Sequence, residues 1–267
     1  MKKLTIIFIS FLLASSAIFA QKELAEEFTE VELAKKAQNP VAAMISVPFQ
    51  NNTTYRIGED RSYTQNILNF QPVIPLSFEK FNIITRTILP IVSQPNTSGG
   101  DNKNGLGDMN ITAFFSPKDE AGVTWGVGPV IQLPTATSSE LGSQLFAIGP
   151  SVVVIALQDK WVYGLLINNM WSMDDLRSVK QMVLQPFINY NLDKGWYLVT
   201  APIWQANWRL TDGNQWLIPM GAGFGKIFRI GKLPVNVNAH AYYNTAMQDP
   251  NWGKWQSRFQ LQFMFPK

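Results

Sequence analysis

From residue 41 onward, apolar and polar residues alternate with a period of two, the repeat of a strand that shows its two faces to different surroundings. The alternation predicts strands at 41–50, 63–78, 82–94, 107–116, 122–134, 145–157, 161–171, 179–191, 196–207, 216–228, 233–244 and 255–265. In the last, Phe259, Leu261, Phe263 and Phe265 share one face while Arg258, Gln260 and Gln262 share the other. Met109, Ile111, Ala113 and Phe115 likewise oppose Asp108, Asn110 and Thr112. Most strands approach the roughly 9–11 residues that a tilted strand needs to cross a bilayer.

The connections alternate too. Segments 51–62, 95–106, 135–144, 172–178, 208–215 and 245–254 are long and rich in Asn, Asp, Gly, Ser and Thr. Segments 79–81, 117–121, 158–160, 192–195 and 229–232 are short turns. An outer-membrane barrel has this asymmetry, with short periplasmic turns, longer outer loops and an even strand number. A secreted β-sandwich shares the alternation but hides its apolar face inward. Strand length, loop asymmetry and the tryptophans at 125, 161, 171, 196, 204, 208, 216 and 252, placed as interfacial girdles, favour the barrel. The expected fold is all-β: a transmembrane antiparallel barrel of about twelve strands. Pro48, Pro72, Pro75, Pro90, Pro129, Pro150, Pro186, Pro202, Pro219 and Pro234 fall within these strands. Proline cannot donate to the ladder, so either the wall is bulged and kinked or some strands are shorter than drawn.

The start of the chain follows other rules. Met1-Lys2-Lys3, an apolar run at 4–14 and the small residues of Ala14-Ser-Ser-Ala-Ile-Phe-Ala20 have the layout of a secretory signal peptide. Cleavage after Ala20 or after Ala17 fits. Residues 22–38 follow a helical period through Leu24, Phe28, Val31 and Ala34 or Lys35, with Lys35-Lys36 near the end and Asn39-Pro40 as the stop. The chain therefore divides into a signal peptide (1–20), an N-terminal helical segment (21–40) and the barrel (41–267). The helix either plugs the periplasmic mouth or forms a loose tail.

Composition narrows the chemistry. Charged residues are 15% of the chain, below the roughly 25% usual for soluble domains. The mean hydropathy of −0.02 excludes a helical membrane protein. With no cysteine there is no disulfide, thiol nucleophile, Cys-ligated metal or lipoprotein anchor. A single histidine leaves no histidine metal cluster. The basic residues are scattered, which excludes nucleic acid as a partner.

Catalytic candidates are few. His240 is the one imidazole, set among Ala239, Ala241 and Tyr242 without a neighbouring serine, so it reads as a polar lumen residue. Gly221, Gly223 and Gly225 alternate inside a strand with no helix to follow, and close packing against a bulky neighbour accounts for them better than a phosphate loop. Asp101-Asn-Lys-Asn104 is too poor in carboxylates for a calcium loop, and Asp174-Asp175 reads as a solvated loop. No cofactor, metal or catalytic residue is expected. Alternation assigns to the lumen Asn69, Gln71, Arg86, Asp108, Asn110, Thr112, Gln132, Gln185, Asn189, Gln205, Asn236, Asn238, His240, Arg258, Gln260 and Gln262. Amides dominate this set, which suits neutral polar or amphipathic solutes and weak ion selectivity. These residues could instead bond to one another and fill a closed interior.

Gly105-Leu-Gly-Asp-Met109, Gly126-Val-Gly-Pro-Val-Ile-Gln-Leu-Pro-Thr-Ala-Thr137, Val162-Tyr-Gly-Leu-Leu-Ile-Asn-Asn-Met-Trp171, Gln185-Pro-Phe-Ile-Asn-Tyr-Asn-Leu192 and Arg258-Phe-Gln-Leu-Gln-Phe-Met-Phe-Pro-Lys267 resemble the bacterial outer-membrane family labelled "MetA-pathway of phenol degradation". The likeness covers residues 33 to 267. It implies a barrel in the Gram-negative outer membrane that passes small, aromatic or otherwise hydrophobic molecules. The implied partners are outer-membrane lipid, a small-molecule solute and the barrel assembly machinery. The ending Phe265-Pro266-Lys267 departs from the terminal aromatic usual in outer-membrane strands. The expected function is passive transport. The alternatives are a conduit opening sideways into the bilayer, a lipid-modifying enzyme, and a structural or adhesive barrel.

Overall fold

The computed structural model describes residues 29–97, 99–118, 122–173, 178–211 and 214–266. The signal peptide, the expected helix before Thr29 and the Asp174-Asp175 pair lie outside them.

Helix α1 (Glu30–Gln38) starts because Thr29 and Glu32 cap each other. The Thr29 hydroxyl accepts from the Glu32 amide at 3.3 Å, and the Glu32 carboxylate accepts from the Thr29 amide at 2.8 Å. Ala34 of the expected stripe faces inward, together with Leu33 and with Ala37 packed beside them; Leu24 and Phe28 lie outside the described residues. Asn39 then turns the chain, its carbonyl and side chain accepting the amides of Ala42 and Val41.

The strands are β1 (Ile45–Ile57), β2 (Tyr63–Phe70), β3 (Val73–Ser77), β4 (Phe81–Gln94), β5 (Lys103–Leu106), β6 (Met109–Pro117), β7 (Val123–Leu133) and β8 (Ala147–Gln158). They continue with β9 (Trp161–Ser172), β10 (Lys180–Asn191), β11 (Trp196–Thr200), β12 (Trp204–Asn207), β13 (Trp216–Ile230), β14 (Leu233–Ala246) and β15 (Trp255–Phe265). Three pairs, β2/β3, β5/β6 and β11/β12, lie end to end along a shared neighbour. The wall is thus a closed, antiparallel 12-strand barrel in which neighbours are next in sequence everywhere but at the closing seam. The β1–β15 ladder closes it, from Ile45 opposite Phe265 to Tyr55 opposite Trp255. Closure leaves no edge to satisfy in lipid.

The prolines mark the irregularities. Pro72 sits in the β2/β3 break and Pro202 in the β11/β12 break. Pro90 faces the β5/β6 break, and its carbonyl accepts the Gly107 amide at 2.9 Å. Pro219 adjoins a register shift, whereas Pro129 and Pro150 pair with each other in an unbroken ladder. The wall is therefore both kinked and interrupted.

The first strand departs from expectation. It runs 45–57, not 41–50, because Asn51 to Tyr55 keep pairing with β15 and β2 despite their polar character. Val41 is instead buried in the apolar cluster with Ile84 and Phe114, and Met44 is buried against Leu33 and Ala34 of α1.

Outward residues are apolar and exposed, among them Phe259 at 58%, Phe224 at 57% and Leu198 at 53%. A shell of this kind around the whole wall is stable only in lipid. Trp125, Trp161 and Trp196 lie at the short-turn end, and Trp171 lies at the long-loop end. Trp161 packs on Tyr190, Trp196 on Phe224, and Trp208 on Trp216. Trp252 departs from the expected girdle, since it lines an interior cavity. Trp255, which packs on Tyr243, stands exposed in the girdle position at the start of β15.

Candidate functional site

The interior has two chemically different sides. Alternation on β14, β15, β1 and β4 turns Asn236, Asn238, His240, Arg258, Gln260, Gln262, Gln50 and Arg86 inward. On β4 through β10, at the short-turn half, Ile84, Phe114, Val153, Ile155, Val162, Leu166 and Phe187 also point inward and pack with Val41. The expectation of an amide-lined lumen therefore holds for one side only. Strand alternation separates the faces but does not dictate that the inner one be polar, and here part of it forms a dry core.

On the polar side a chain of hydrogen bonds runs in one direction. Arg258 Nη1 donates to the Tyr242 hydroxyl at 3.5 Å, with the guanidinium over the Tyr242 ring. Tyr242 donates to His240 Nδ1 at 2.7 Å, and His240 Nε2 donates to Asn238 Oδ1 at 2.9 Å. Asn238 Nδ2 donates to the Tyr197 hydroxyl at 3.1 Å, Tyr197 to Asn236 Oδ1 at 2.6 Å, and Asn236 Nδ2 to Gln262 Oε1 at 3.0 Å. Only the Nε2–H tautomer of His240 lets every donor meet an acceptor along this chain. Both imidazole nitrogens are occupied, by Tyr242 and Asn238, so the ring does not activate a serine.

Arg258 is 5% exposed and crosses the lumen. Its Nε donates to Asn52 Oδ1 at 2.9 Å, and its Nη1 donates to the Ala201 carbonyl, in the β11/β12 break, at 2.7 Å. It separates two spaces. On the loop side lies a vestibule of about 490 Å³ lined by Asn52, Asn69, Asn110, Gln205, Trp252 and Gln256, among others. Asn110 Oδ1 and Trp252 Nε1 are buried there without a protein partner, which a water-filled vestibule accounts for. On the short-turn side lies a cavity of about 160 Å³ between the polar network and Phe187, Leu166 and Val73. Helix α1 forms its floor: Leu33 and Ala34 pack on Met44, Tyr197, Val199 and Ile227, and Gln38 exchanges two hydrogen bonds with Asn191.

Of the residues assigned to the lumen by alternation, Gln71, Arg86, Gln185, Asn189, Asn236, Asn238, His240, Arg258, Gln260 and Gln262 line this inner cavity. Asn69, Asn110 and Gln205 line the vestibule, and Gln132 lines a neighbouring space of about 230 Å³ with Asn110 and Gln205. Thr112 is buried beside Arg86 in the ladder. Asp108 serves the wall instead. In the β5/β6 break it accepts from Ala136 N, Ser143 Oγ and Gln144 N, tying loop 134–146 down. Tyr197, Tyr242, Gln50 and Asn52 belong to the site without having been assigned to it. Tyr242 shares the parity of His240, and the other three follow once β1 and β11 are placed. Gly225 packs against the Tyr197 ring, the close approach expected there, whereas Gly221 and Gly223 abut backbone carbonyls of β14.

The closed wall, the lipid-compatible shell and the enclosed two-sided lumen define an outer-membrane β-barrel. The chain belongs to the family described as "Putative MetA-pathway of phenol degradation", whose model matches residues 46–254. Its fold is similar to that of the COG4313 outer membrane channel from Pseudomonas putida F1, at 17% identity and a TM-score of 0.61, over 85% of this chain and 96% of that one. The CymD monoaromatic hydrocarbon channel is less similar, at 9% identity and a TM-score of 0.48, over 90% and 91%. So is outer membrane phospholipase A from Escherichia coli, at 13% and 0.41, over 89% and 98%. No curated protein sequence matches.

Proposed function

We propose that the protein is a passive channel of the Gram-negative outer membrane for small amphipathic molecules. The observation that carries this reading is the inner cavity, polar on the side of Asn236, Asn238 and Arg258 and apolar on the side of Phe187 and Leu166, in line between the vestibule and the floor formed by α1. A molecule with an aromatic body and a polar group matches both sides, whereas a sugar matches one. Membership of the family and the likeness to an outer membrane channel fold support passage over catalysis, and the doubly bonded His240 offers no free base. Planar-bilayer conductance of the purified protein, with liposome uptake of benzyl alcohol against a sugar, tests the reading. No conductance with no uptake overturns it, and equal uptake overturns the preference.

A sideways exit is a second reading with its own observation. Phe187 borders the inner cavity and also an outward groove of about 670 Å³ lined by Trp161, Tyr163, Gly164, Pro186 and Ile188. Phe187→Trp would close that path and slow entry of an apolar solute into the bilayer without altering ionic conductance.

A further inference from the structure

We propose that the inner cavity is a binding site for a small organic carboxylate, its charged end between Arg86 and Arg258 and its apolar body against Phe187, Leu166 and Val73. This rests on the passage reading and names the chemistry of its solute. Three observations converge on it.

First, two guanidinium groups line one cavity. A buried charge is normally paired with an opposite charge. Neither arginine meets a carboxylate among the described residues. Arg86 donates to Gln71 Oε1 at 3.0 Å, and Arg258 uses Asn52, Tyr242 and the Ala201 carbonyl, all neutral. Among the described residues, the cavity lining holds no aspartate or glutamate. The cavity thus gathers positive charge in a chain that is otherwise almost balanced.

Second, the arginines are held in place. Gln71 fixes one guanidinium, and the network through Tyr242 to Gln262 stands behind the other. A prearranged fork of donors is the geometry that recognises a carboxylate. Neutral polar solutes would be served by the amides alone and would not require unpaired cations.

Third, part of the cavity lining is apolar and the volume is limited. Val73 is the ladder neighbour of Arg86, and Phe187 and Leu166 belong to the buried cluster across the cavity. About 160 Å³ matches the size of a cavity that takes up a benzene ring. A monocyclic aromatic carboxylate satisfies charge, shape and apolar contact together; acetate satisfies only the first.

The test uses the mature protein, folded in detergent, and three probes: benzoate, its neutral isostere benzamide, and acetate. Calorimetric titration should show benzoate binding at least tenfold more tightly than benzamide, a difference of about 1.4 kcal/mol, and more tightly than acetate. Arg86→Gln and Arg258→Gln should each bring the benzoate-to-benzamide ratio close to one, with heat-modifiable migration on gels reporting that the barrel has folded. Should neither variant fold, the wild-type comparison of benzoate with benzamide decides alone. Equal binding of those two overturns the charge recognition, and acetate equal to benzoate overturns the apolar subsite. Conductance recorded in parallel separates the two readings. A conducting barrel that ignores benzoate refutes the site and spares the channel, and a benzoate-binding barrel without conductance does the reverse.

Discussion

The Arg258 guanidinium reaches from β15 across the lumen to the Ala201 carbonyl, 2.7 Å away in the break between β11 and β12. This one bond joins staves that are not neighbours in the wall, and it separates the vestibule from the inner cavity. Truncating the bar should merge the two spaces. Arg258→Ala is expected to raise single-channel conductance and, by removing one of the two guanidinium groups that line the inner cavity, to shift the reversal potential under a salt gradient toward cations. An unchanged conductance would place the conducting path elsewhere.

Phe259 lies on the outer face of the same strand as Arg258, one residue away, and is 58% exposed. If lipid covers it, Phe259→Arg should destabilise the folded barrel by roughly 2–4 kcal/mol in reversible unfolding from liposomes. An exposed site in water would change by only about 0.5 kcal/mol. Measuring the unfolding free energy of wild type and variant decides between the two surroundings.

Leu33 is fully buried against Met44, Tyr197 and Ile227. Leu33→Ala should weaken docking of α1 by about 2–5 kcal/mol. The expected readouts are faster protease cleavage before residue 40 and a higher open probability in bilayers. Faster cleavage with unchanged gating would make α1 a tether and not a plug.

Asp108 carries a separate expectation, because its three bonds serve a loop. Asp108→Ala should cost about 1.5–3 kcal/mol and raise amide exchange across 135–145, leaving the benzoate-to-benzamide ratio unchanged. A lost ratio would tie the loop to the inner cavity.

Acid should loosen the helix cap. The Thr29 backbone amide, and then its hydroxyl, hold the Glu32 carboxyl below the usual carboxylate value. A lowered folded value means that the cap contributes fully above the unfolded value and is lost as pH falls through the folded one. Protease sensitivity of the α1 segment should therefore rise below about pH 4, near the ordinary carboxylate range. Glu32→Gln should lose that dependence. An acid response that persists in Glu32→Gln would point to another group.

Local pattern by itself decided the wall. Period-two alternation located every stave but the first within a few residues, because a strand between lipid and lumen must change polarity at every step. It also separated Arg258, Gln260 and Gln262 from Phe259 and Leu261. It missed the run Asn51–Tyr55, where a polar stretch resembles a loop until β15 supplies its partners, and it missed Leu33 as the anchor of α1. What only the tertiary structure decided is which inward residues meet. Arg258 with Ala201, Tyr197 with Asn238, and Gln38 with Asn191 each join distant parts of the chain. Alternation reports the face of a residue, but contact across a lumen depends on register, closure and the proline breaks, which are set by the whole ring. For the same reason the apolar half of the interior was hidden: an inward isoleucine and a lipid-facing one look alike until the barrel closes around one of them.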